Sequence, residues 1–363
     1  MALLTFPNTD SVDMTDVDFS EIFEGDYFTF TSTEVVVGVN PDALLTFTGT
    51  GFDFDPITEE VISGTVNGLE GSEFGTTVFT LTGLSITATL LNPIFDAEDT
   101  AALLSLILGG NDTIAGTFSG DTLLGLDGAD SIAGEGGADL LLGGEGADTL
   151  DGDTGNDTLL GEAGDDSLEG WGGRDSLNGG ADDDILFGYG SHDTLGGGIG
   201  NDDLRGGYGR DLLNGSGGND ILRGFEGDDR LFGGGGNDTL LGNDDNDSLT
   251  GGGGADRLKG DAGDDTLNGR FGDDLVTGGT GDDLFEFRQG HGNDTYDDFT
   301  VGMGTEDVIE LIAFGAAFDT FAEVLAAASQ SGSDVVIDCG GGDSITIEDT
   351  TVAALHEDDF IFS

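Results

Sequence analysis

The sequence GGGGNDTLL, from Gly233 to Leu241, is the clearest of twenty nine-residue units that fill residues 107–286 without insertion or deletion. Position six of every unit is Asp and position eight is always apolar. Position one is Gly in every unit except the first, where Ile107 stands. Position four is Gly in sixteen units, and the exceptions are Ser119, Asp182, Ser191 and Asp245. A fixed period of this kind predicts a repeat architecture before any local propensity is considered.

The glycines of each unit favour a turn over its first six residues, and the apolar position eight favours a short strand over its last three. Glycine adopts backbone conformations with positive φ without a Cβ penalty, which predicts such conformations at positions one and four. The central residue of the strand triplet is position eight, so these apolar side chains stack from coil to coil. One apolar residue in nine makes a thin core, because ordering one residue costs about 1–2 kcal/mol and burying one leucine returns about 1.5–3 kcal/mol. A further stabilising partner is therefore expected.

That partner is predicted to be a calcium ion held by the position-six aspartates. Carboxylates and turn carbonyls are hard oxygen ligands that suit Ca²⁺, and three His and one Cys in the chain argue against zinc or copper. Rows of unneutralised carboxylates about 4.8 Å apart would repel one another, so mere solvation of the repeat is the weaker explanation. The candidate metal ligands are Asp112, Asp121, Asp130, Asp139, Asp148, Asp157, Asp166, Asp175, Asp184, Asp193, Asp202, Asp211, Asp220, Asp229, Asp238, Asp247, Asp256, Asp265, Asp274 and Asp283.

The units resemble GGxGxDxUx, the nonapeptide of the repeats-in-toxin (RTX) family. The resemblance implies a parallel β-roll in which two units complete a coil and calcium lies between aspartates of stacked turns. Asp112 would then face Asp130 on one edge, and Asp121 would face Asp139 on the other. Two such edges offer at most about 18 calcium sites. The turns with Asp182, Ser191 and Asp245 at position four depart from the pattern, which leaves their own sites open.

The charge of the chain restricts its partners. Seventy-four acidic and nine basic residues give a formal net charge of −65, which disfavours nucleic acid and anionic membranes as partners. No stretch approaches the roughly 18 apolar residues of a membrane span. The repeats are expected to stay unfolded without divalent cation, so that calcium binding and folding form one process.

The amino terminus, MALLTFPNTDSVDM, has neither a basic region nor an adequate apolar segment, so no Sec-type signal is predicted. The resemblance implies instead export by a type I secretion exporter that recognises an uncleaved carboxy-terminal region. The protein is therefore expected to be secreted, and to be extracellular or associated with the cell surface.

Residues 1–95 are predicted to form a small antiparallel β-sandwich, because short alternating segments such as VFTLTGLSITATLL from Val78 are separated by Gly, Asp and Pro. They contain no His, and the whole chain lacks a GxSxG nucleophile elbow. Asp53, Asp55, Glu59 and Glu60 could form a glycosidase pair, but solvated turns explain such carboxylates better.

The repeats are expected to be closed at both ends. DAEDTAALLSLIL, residues 96–108, has an acidic first turn and two glycines beyond its end, and it is predicted to be a capping helix. Residues 287–363 are predicted to contain a helix from Thr320 and strands from Asp334 and Asp343. They resemble the carboxy-terminal region of RTX exoproteins and would form an α+β cap that carries the secretion signal; an ordinary cap without an export role is the alternative.

One edge of the predicted roll carries aromatic and basic residues at repeat-related positions. Local charge relief and tolerated turn substitutions are one explanation, and a contact surface for a second copy or a surface glycan is the other. The residues of this predicted contact surface are Trp171, Arg174, Tyr189, His192, Tyr208, Arg210 and Phe225.

The sequence thus predicts an all-β-dominated protein: a parallel β-roll with an N-terminal antiparallel β domain and a C-terminal α+β cap. The predicted function is that of a secreted, non-enzymatic calcium-binding protein whose roll folds outside the cell and acts as a structural, adhesive or matrix-assembly element. The alternative is an RTX exoenzyme with an unrecognised hydrolase activity in residues 1–95.

Overall fold

The computed structural model describes five strands between residues 28 and 82, and residues 111–363 apart from residues 303–306, 313 and 315–317. The predicted capping helix over residues 96–108 lies outside these described residues. Within them, none of the helices is long and apolar enough to span a bilayer. Most of the described chain is a solenoid of parallel strands, which confirms the predicted fold class.

The N-terminal strands form an antiparallel meander. They are β1 (Phe28–Thr31), β2 (Glu34–Asn40), β3 (Ala43–Asp55), β4 (Glu60–Glu73) and β5 (Thr76–Thr82), and each pairs with the next in the chain. β5 also pairs with the first strand of the solenoid, so that the meander continues one sheet of the solenoid. The five strands make one sheet, and the second layer that a sandwich requires stays a prediction.

The solenoid strands begin nine residues apart, except for two two-residue strands, and most have six residues where the sequence predicted three. In chain order they are β6 (Thr113–Ala115), β7 (Thr122–Asp127), β8 (Ser131–Ala133), β9 (Gly136–Gly137), β10 (Leu140–Glu145), β11 (Thr149–Asp151), β12 (Thr154–Gly155), β13 (Thr158–Ala163), β14 (Ser167–Glu169), β15 (Ser176–Ala181), β16 (Ile185–Gly190), β17 (Thr194–Ile199), β18 (Asp203–Tyr208), β19 (Leu212–Gly217), β20 (Ile221–Glu226), β21 (Arg230–Gly235), β22 (Thr239–Asp244), β23 (Ser248–Gly253), β24 (Arg257–Ala262), β25 (Thr266–Phe271), β26 (Leu275–Thr280) and β27 (Leu284–Arg288).

Apart from β9 and β12, which form a separate two-stranded sheet, these strands form two parallel sheets whose neighbours are offset by one coil. Sheet 1 contains β6, β8, β11, β14 and the even-numbered strands from β16 to β26, and sheet 2 contains β7, β10 and the odd-numbered strands from β13 to β27. Leu141 pairs with Leu123 on one side and with Leu159 on the other. A coil therefore takes two units, as predicted.

The core of the solenoid is the stacked row of position-eight side chains from both sheets. Leu141 and Leu204 are fully buried, and the row runs from Ile114 to Phe285. Alternation along each strand puts the flanking positions on the outside. The core is thus as thin as the repeat predicts, with one buried apolar residue per nine.

The C-terminal part prolongs both sheets before it closes them. Its elements are β28 (Asn293–Tyr296), β29 (Val308–Ile312), α1 (Phe321–Ala327), β30 (Ala328–Ser331), β31 (Asp334–Gly340), β32 (Asp343–Ile347), a 3₁₀ helix (Glu357–Asp359) and β33 (Phe360–Phe362). β28 follows β26 in sheet 1, and β29 follows β27 in sheet 2. β32 and β33 then add parallel strands to sheets 1 and 2, respectively. The C-terminal segment ends as a strand of sheet 2.

The predicted helix from Thr320 is shorter than the segment TFAEVLAAASQ suggests. It ends at Ala327, and Ala328–Ser331 instead pairs with β31 in an antiparallel hairpin. The alanines favour a helix locally, but the hairpin satisfies the backbone of this segment against a strand whose Val335 and Ile337 are buried. Pairing with the rest of the cap therefore outweighs helix propensity here.

Candidate metal sites in the glycine-rich turns

Left-handed backbone conformations occur at positions two and four of the turns, not at positions one and four as the sequence suggested. Position two includes Leu126 with φ of 79° and Trp171 with φ of 65°. Position four includes Gly128 with φ of 143° and Asp182 with φ of 80°. Asp182, Ser191 and Asp245 thus keep the conformation that glycine has in neighbouring turns, whereas Ser119 does not.

Glycine at position one has a different reason. A Cβ on Gly125 would lie 2.3 Å from Oδ2 of Asp130 in the same unit and 2.5 Å from the carbonyl oxygen of Gly143 in the next coil. A Cβ on Gly215 would meet Oδ2 of Asp220 at 2.3 Å and the carbonyl oxygen of Gly233 at 2.6 Å. Position one is glycine because a carboxylate oxygen and a turn carbonyl crowd this space, and a side chain would displace them.

The position-six aspartates form two ladders, one along each edge of the solenoid. The backbone N–H of each of the first eighteen aspartates donates to Oδ1 of the aspartate eighteen residues later, over donor–acceptor distances of 2.7–3.0 Å. The first ladder begins with Asp112 and Asp130, and the second begins with Asp121 and Asp139. The structure therefore brings all twenty sequence-predicted aspartates together in the expected pairs of stacked turns.

The second carboxylate oxygen of these aspartates has no partner within the protein. Oδ2 is buried without a hydrogen bond in nineteen of the twenty, all except Asp121. Buried polar atoms are nearly always satisfied in folded proteins, and an unpaired buried charge is especially unfavourable. A row of such oxygens, with a carbonyl oxygen of the next coil nearby in turns such as those of Gly125 and Gly215, points to cations that bind there.

The donors around each gap fit calcium better than other metals. Carboxylate and carbonyl oxygens are the ligands of Ca²⁺, and the oxygens that crowd position one at Gly125 and Gly215 are of these two kinds. In the described part of the chain, no group of three or more His, Cys, Asp or Glu side chains is placed to hold a metal alone. A cation between two turns must therefore take its remaining ligands from turn carbonyls, and the structure does not fix how many ions bind.

The electrostatics of the ladders favour a bound cation. Burial, reinforced by neighbouring carboxylates of the same ladder, raises the pKa of Asp193 and of Asp247 to about 8. The same causes raise the pKa of Asp166 and of Asp184 to about 7. A carboxyl with such a pKa resists ionisation at neutral pH unless a cation lies beside it, because a positive charge favours the ionised form.

The ladders continue beyond the twenty units through two aspartates that the sequence-based list omits. Asp274 donates its N–H to Oδ1 of Asp294, and Asp283 donates to Oδ1 of Asp307, both at 3.2 Å. Insertions of two and four residues hide these positions from a strict nine-residue period. The signal that remains is an Asp two residues before a buried Tyr296 or Ile309, which is the spacing of positions six and eight.

The second ladder is closed at both ends by threonine rather than left open. Oδ2 of Asp121 accepts from the backbone N–H and the hydroxyl of Thr117, at 2.7 and 2.9 Å. Oδ2 of Asp307 accepts from the N–H and the hydroxyl of Thr300, at 2.8 and 2.6 Å. Two donors satisfy these terminal oxygens, so the ladder ends need no cation at that oxygen.

The predicted contact surface separates into two groups. Arg174, His192 and Arg210 lie at position five, where a side chain accepts from the backbone one coil later: the N–H of Arg210 donates to Nδ1 of His192 at 2.7 Å. The N–H of Arg174 donates to Oδ1 of Asn156 at 2.8 Å in the same way. Trp171, Tyr189 and Phe225 lie at position two, and the side chain of Tyr208 is 64% exposed at position three.

Comparison with known proteins places the repeats in a described family. A sequence profile for the RTX calcium-binding nonapeptide repeat matches segments that together span residues 108–294, just over half of the 363-residue chain. A search of curated proteins gave no significant match. Among solved structures, the extracellular lipase LipA from Serratia marcescens matches with 17% identity and a TM-score of 0.24, over 57% of this chain and 45% of the lipase chain. This chain thus spans less than half of that lipase, and a TM-score this low supports no inference about activity.

Proposed function

The chain belongs to the family of RTX calcium-binding nonapeptide-repeat proteins, and on that premise we propose that it is a secreted protein whose β-roll folds when calcium binds outside the cell. The observation that carries the proposal is the row of nineteen buried Oδ2 atoms without a partner. In calcium-poor surroundings these carboxylates oppose folding, because burying unpaired charge is unfavourable. Calcium at millimolar concentration supplies the missing partner, so that binding free energy becomes folding free energy.

Coupling of this kind suits export. A chain that stays unfolded at low internal calcium can pass through a type I secretion exporter, and the carboxy-terminal region is the part that we propose the exporter recognises. Phe360 is buried at the end of sheet 2, so this region folds as the last strand of the roll once it is outside. The protein is then extracellular or associated with the cell surface.

We further propose that the folded protein is a structural, adhesive or matrix-assembly element rather than an enzyme. The backbone pairing between β5 and β6 makes the N-terminal meander an extension of sheet 1, which favours a continuous rod. Ten coils spaced about 4.8 Å apart give the repeat region a length of roughly 45–50 Å. The competing function is a hydrolase in the N-terminal domain.

The test is a calcium titration of the full-length protein purified in chelator. Circular dichroism should show β structure only after calcium is added, with several ions bound per chain, and light scattering should show whether large particles follow. β structure at full amplitude in chelator would refute calcium-coupled folding. Ester, peptide and glycoside substrates are assayed on the same calcium-loaded sample, and turnover of any of them would replace the non-enzymatic role with the hydrolase.

A further inference from the structure

A groove of about 550 Å³ crosses the outer face of sheet 1 over strands β16, β18 and β20. Its apolar walls are side chains of Tyr189 and Phe225, and Gly207 lies on its floor between them. The strand register places these three residues at the same repeat position in consecutive coils, since Tyr189 pairs with Gly207 and Gly207 with Phe225. The groove is therefore the gap that an absent side chain leaves in a row of aromatic rings.

The aromatic residues of this row occupy a conformation that bulky side chains rarely adopt. Trp171, Tyr189 and Phe225 have φ of 65°, 70° and 82°. Glycine fills position two in neighbouring coils at no such cost, and left-handed backbone costs a residue with a Cβ about 1–2 kcal/mol. Trp171 and Phe225 are also 45% and 40% exposed, so burial offsets little of that cost. The fold itself has no need of three aromatic residues here, whereas a ligand that stacks on them does.

The ring geometry defines what the groove can hold. Trp171 and Tyr189 stack with centroids 4.3 Å apart and an interplanar angle of 14°, so the ring planes lie across the coil axis. Phe187 lies beside Tyr189 at 5.5 Å and 17° and widens the same flat surface. Tyr189 and Phe225 are two coils apart, which corresponds to roughly 10 Å at the usual strand spacing. One ring placed over Gly207 would lie about 5 Å from each neighbour, within the range of aromatic stacking contacts.

The rim of the groove supplies hydrogen-bonding groups around this slot. Arg205, Glu226, Asn243 and Asp244 line it, so one cation faces two carboxylates and one amide. The guanidinium of Arg205 is already paired with Asp203 at 2.7 Å. An anionic ligand finds no free positive charge in the groove, and the net charge of −65 opposes it further. An uncharged ring with hydroxyl groups on its edge fits both the apolar walls and the polar rim.

We propose that this groove binds a neutral saccharide, with one pyranose ring between Tyr189 and Phe225 and its hydroxyls at Arg205, Glu226, Asn243 and Asp244. The apolar C–H faces of the sugar stack on the two aromatic rings. The proposal goes beyond calcium-coupled folding and needs only that the roll be folded. It also restricts the predicted contact surface to its aromatic residues: Tyr189, Tyr208 and Phe225 line the groove and Trp171 stacks on Tyr189, whereas the lining does not include Arg174, His192 and Arg210.

The experiment uses the fluorescence of Trp171, the only tryptophan of the chain, which stacks on the face of Tyr189 opposite the slot. Calcium-loaded full-length protein is titrated with neutral hexasaccharides of β-1,4-glucose, α-1,4-glucose and β-1,4-mannose, and calorimetry is run in parallel. At least one should give saturable changes by both methods. Tyr189→Ser and Phe225→Ser should each weaken its binding about two- to tenfold, as loss of one stacking contact predicts.

The matched control is Leu126→Ser, at the same repeat position and in the same left-handed conformation on sheet 2. It should leave saccharide binding unchanged, and serine is tolerated there because Ser216 occupies position two with φ of 76°. Circular dichroism in calcium verifies that each variant is folded. If the unsubstituted protein shows no calcium-dependent increase in β structure, that result contradicts calcium-coupled folding and not the saccharide site.

Four outcomes would overturn the saccharide site while leaving calcium-coupled folding intact. The first is no response to any neutral hexasaccharide at millimolar concentration, and the second is binding that Tyr189→Ser and Phe225→Ser leave unchanged. The third is preferential binding of oligogalacturonate or of choline, which would assign an anionic ligand or a quaternary ammonium to the groove. The fourth is self-association that depends on Tyr189 in place of saccharide binding, which would make the groove an interface between copies.

Discussion

The substitution Asp202→Asn in the middle of the first ladder tests the metal sites most directly. Asp184 donates its N–H to Oδ1 of Asp202, and Asp202 donates to Oδ1 of Asp220, both at 2.9 Å. Asparagine keeps the carbonyl oxygen that accepts from Asp184 and replaces the unpartnered Oδ2 by an NH₂ group. The change therefore removes a calcium ligand and a negative charge but preserves the hydrogen bonds of the ladder.

The expected effect follows from ligand linkage. A site contributes about 2.7 kcal/mol to stability when free calcium is a hundred times its dissociation constant. Asp202 borders the gaps toward Asp184 and toward Asp220, so we expect Asp202→Asn to cost about 2.7–5.4 kcal/mol, for the loss of one or two ions. Asp202→Ala should lower the stability by a further ~1–3 kcal/mol, because it also leaves the N–H of Asp184 without its acceptor.

The assay measures bound calcium per chain by equilibrium dialysis and stability by urea unfolding at fixed free calcium. Asp307→Asn is the control, since Oδ2 of Asp307 already accepts from Thr300. That variant should lose about 1–3 kcal/mol through its broken hydrogen bonds, yet bind as much calcium as the unsubstituted protein. If Asp202→Asn binds the same number of ions with the same affinity, the ladder aspartates are not the calcium ligands and the reasoning is refuted.

Three further outcomes are expected. In chelator, the β signal in circular dichroism should increase as the pH falls from about 8 to about 4, and a signal that does not change with pH would contradict this. The reason is that folding raises the pKa of carboxyls such as Asp193, in that case to about 8. Such a carboxyl stabilises the folded chain fully below its unfolded pKa and loses that effect as the pH rises through its folded pKa. Leu204→Ala should cost about 2–5 kcal/mol in urea unfolding with calcium, whereas Leu212→Ala, at a position that is 38% exposed, should cost far less. Gly215→Ala should weaken calcium binding in dialysis because its Cβ would meet a carboxylate oxygen at 2.3 Å, whereas Gly217→Ala should not, since its nearest atom is 3.9 Å away; equal effects of the two would show that position one is not special.

The periodic part of the fold could be predicted from the sequence because one rule covers both local and tertiary structure. A residue that recurs every nine positions has to lie in the same environment in every coil, so the burial of Leu204 and the stacking of Asp202 on Asp220 follow from the period alone. The reason for each glycine could not be predicted in this way. Sequence shows that position one excludes other residues, but only the distances around Gly125 show that steric crowding, and not φ, causes the exclusion.

Prediction was weaker where the period is interrupted. Asp294 and Asp307 continue the two ladders, but the inserted residues before them obscure the alignment that marks the other twenty. The groove over Gly207 shows the opposite case. Its residues lie in the repeat, and the sequence marks them as unusual. Which of them form the row of aromatic rings and which lie in the turns depends on the repeat position that points outward. Composition does not contain that information, whereas strand register does.

The distribution of buried apolar residues leads us to expect a greater need for calcium in the repeats than in the C-terminal part. In the repeats, one apolar residue per nine is buried, and nineteen of the twenty turns also bury a carboxylate oxygen without a partner. In the C-terminal part, Phe285 contacts Tyr296 and Phe299 at ring distances of 4.8 and 5.5 Å, and Phe287 stacks on Phe314 at 5.9 Å. The last aspartate of the second ladder there has its oxygen satisfied by a threonine. Side-chain packing thus replaces the cation as the ladder ends, so this part can order with less calcium and offer a folded edge on which the preceding coils assemble.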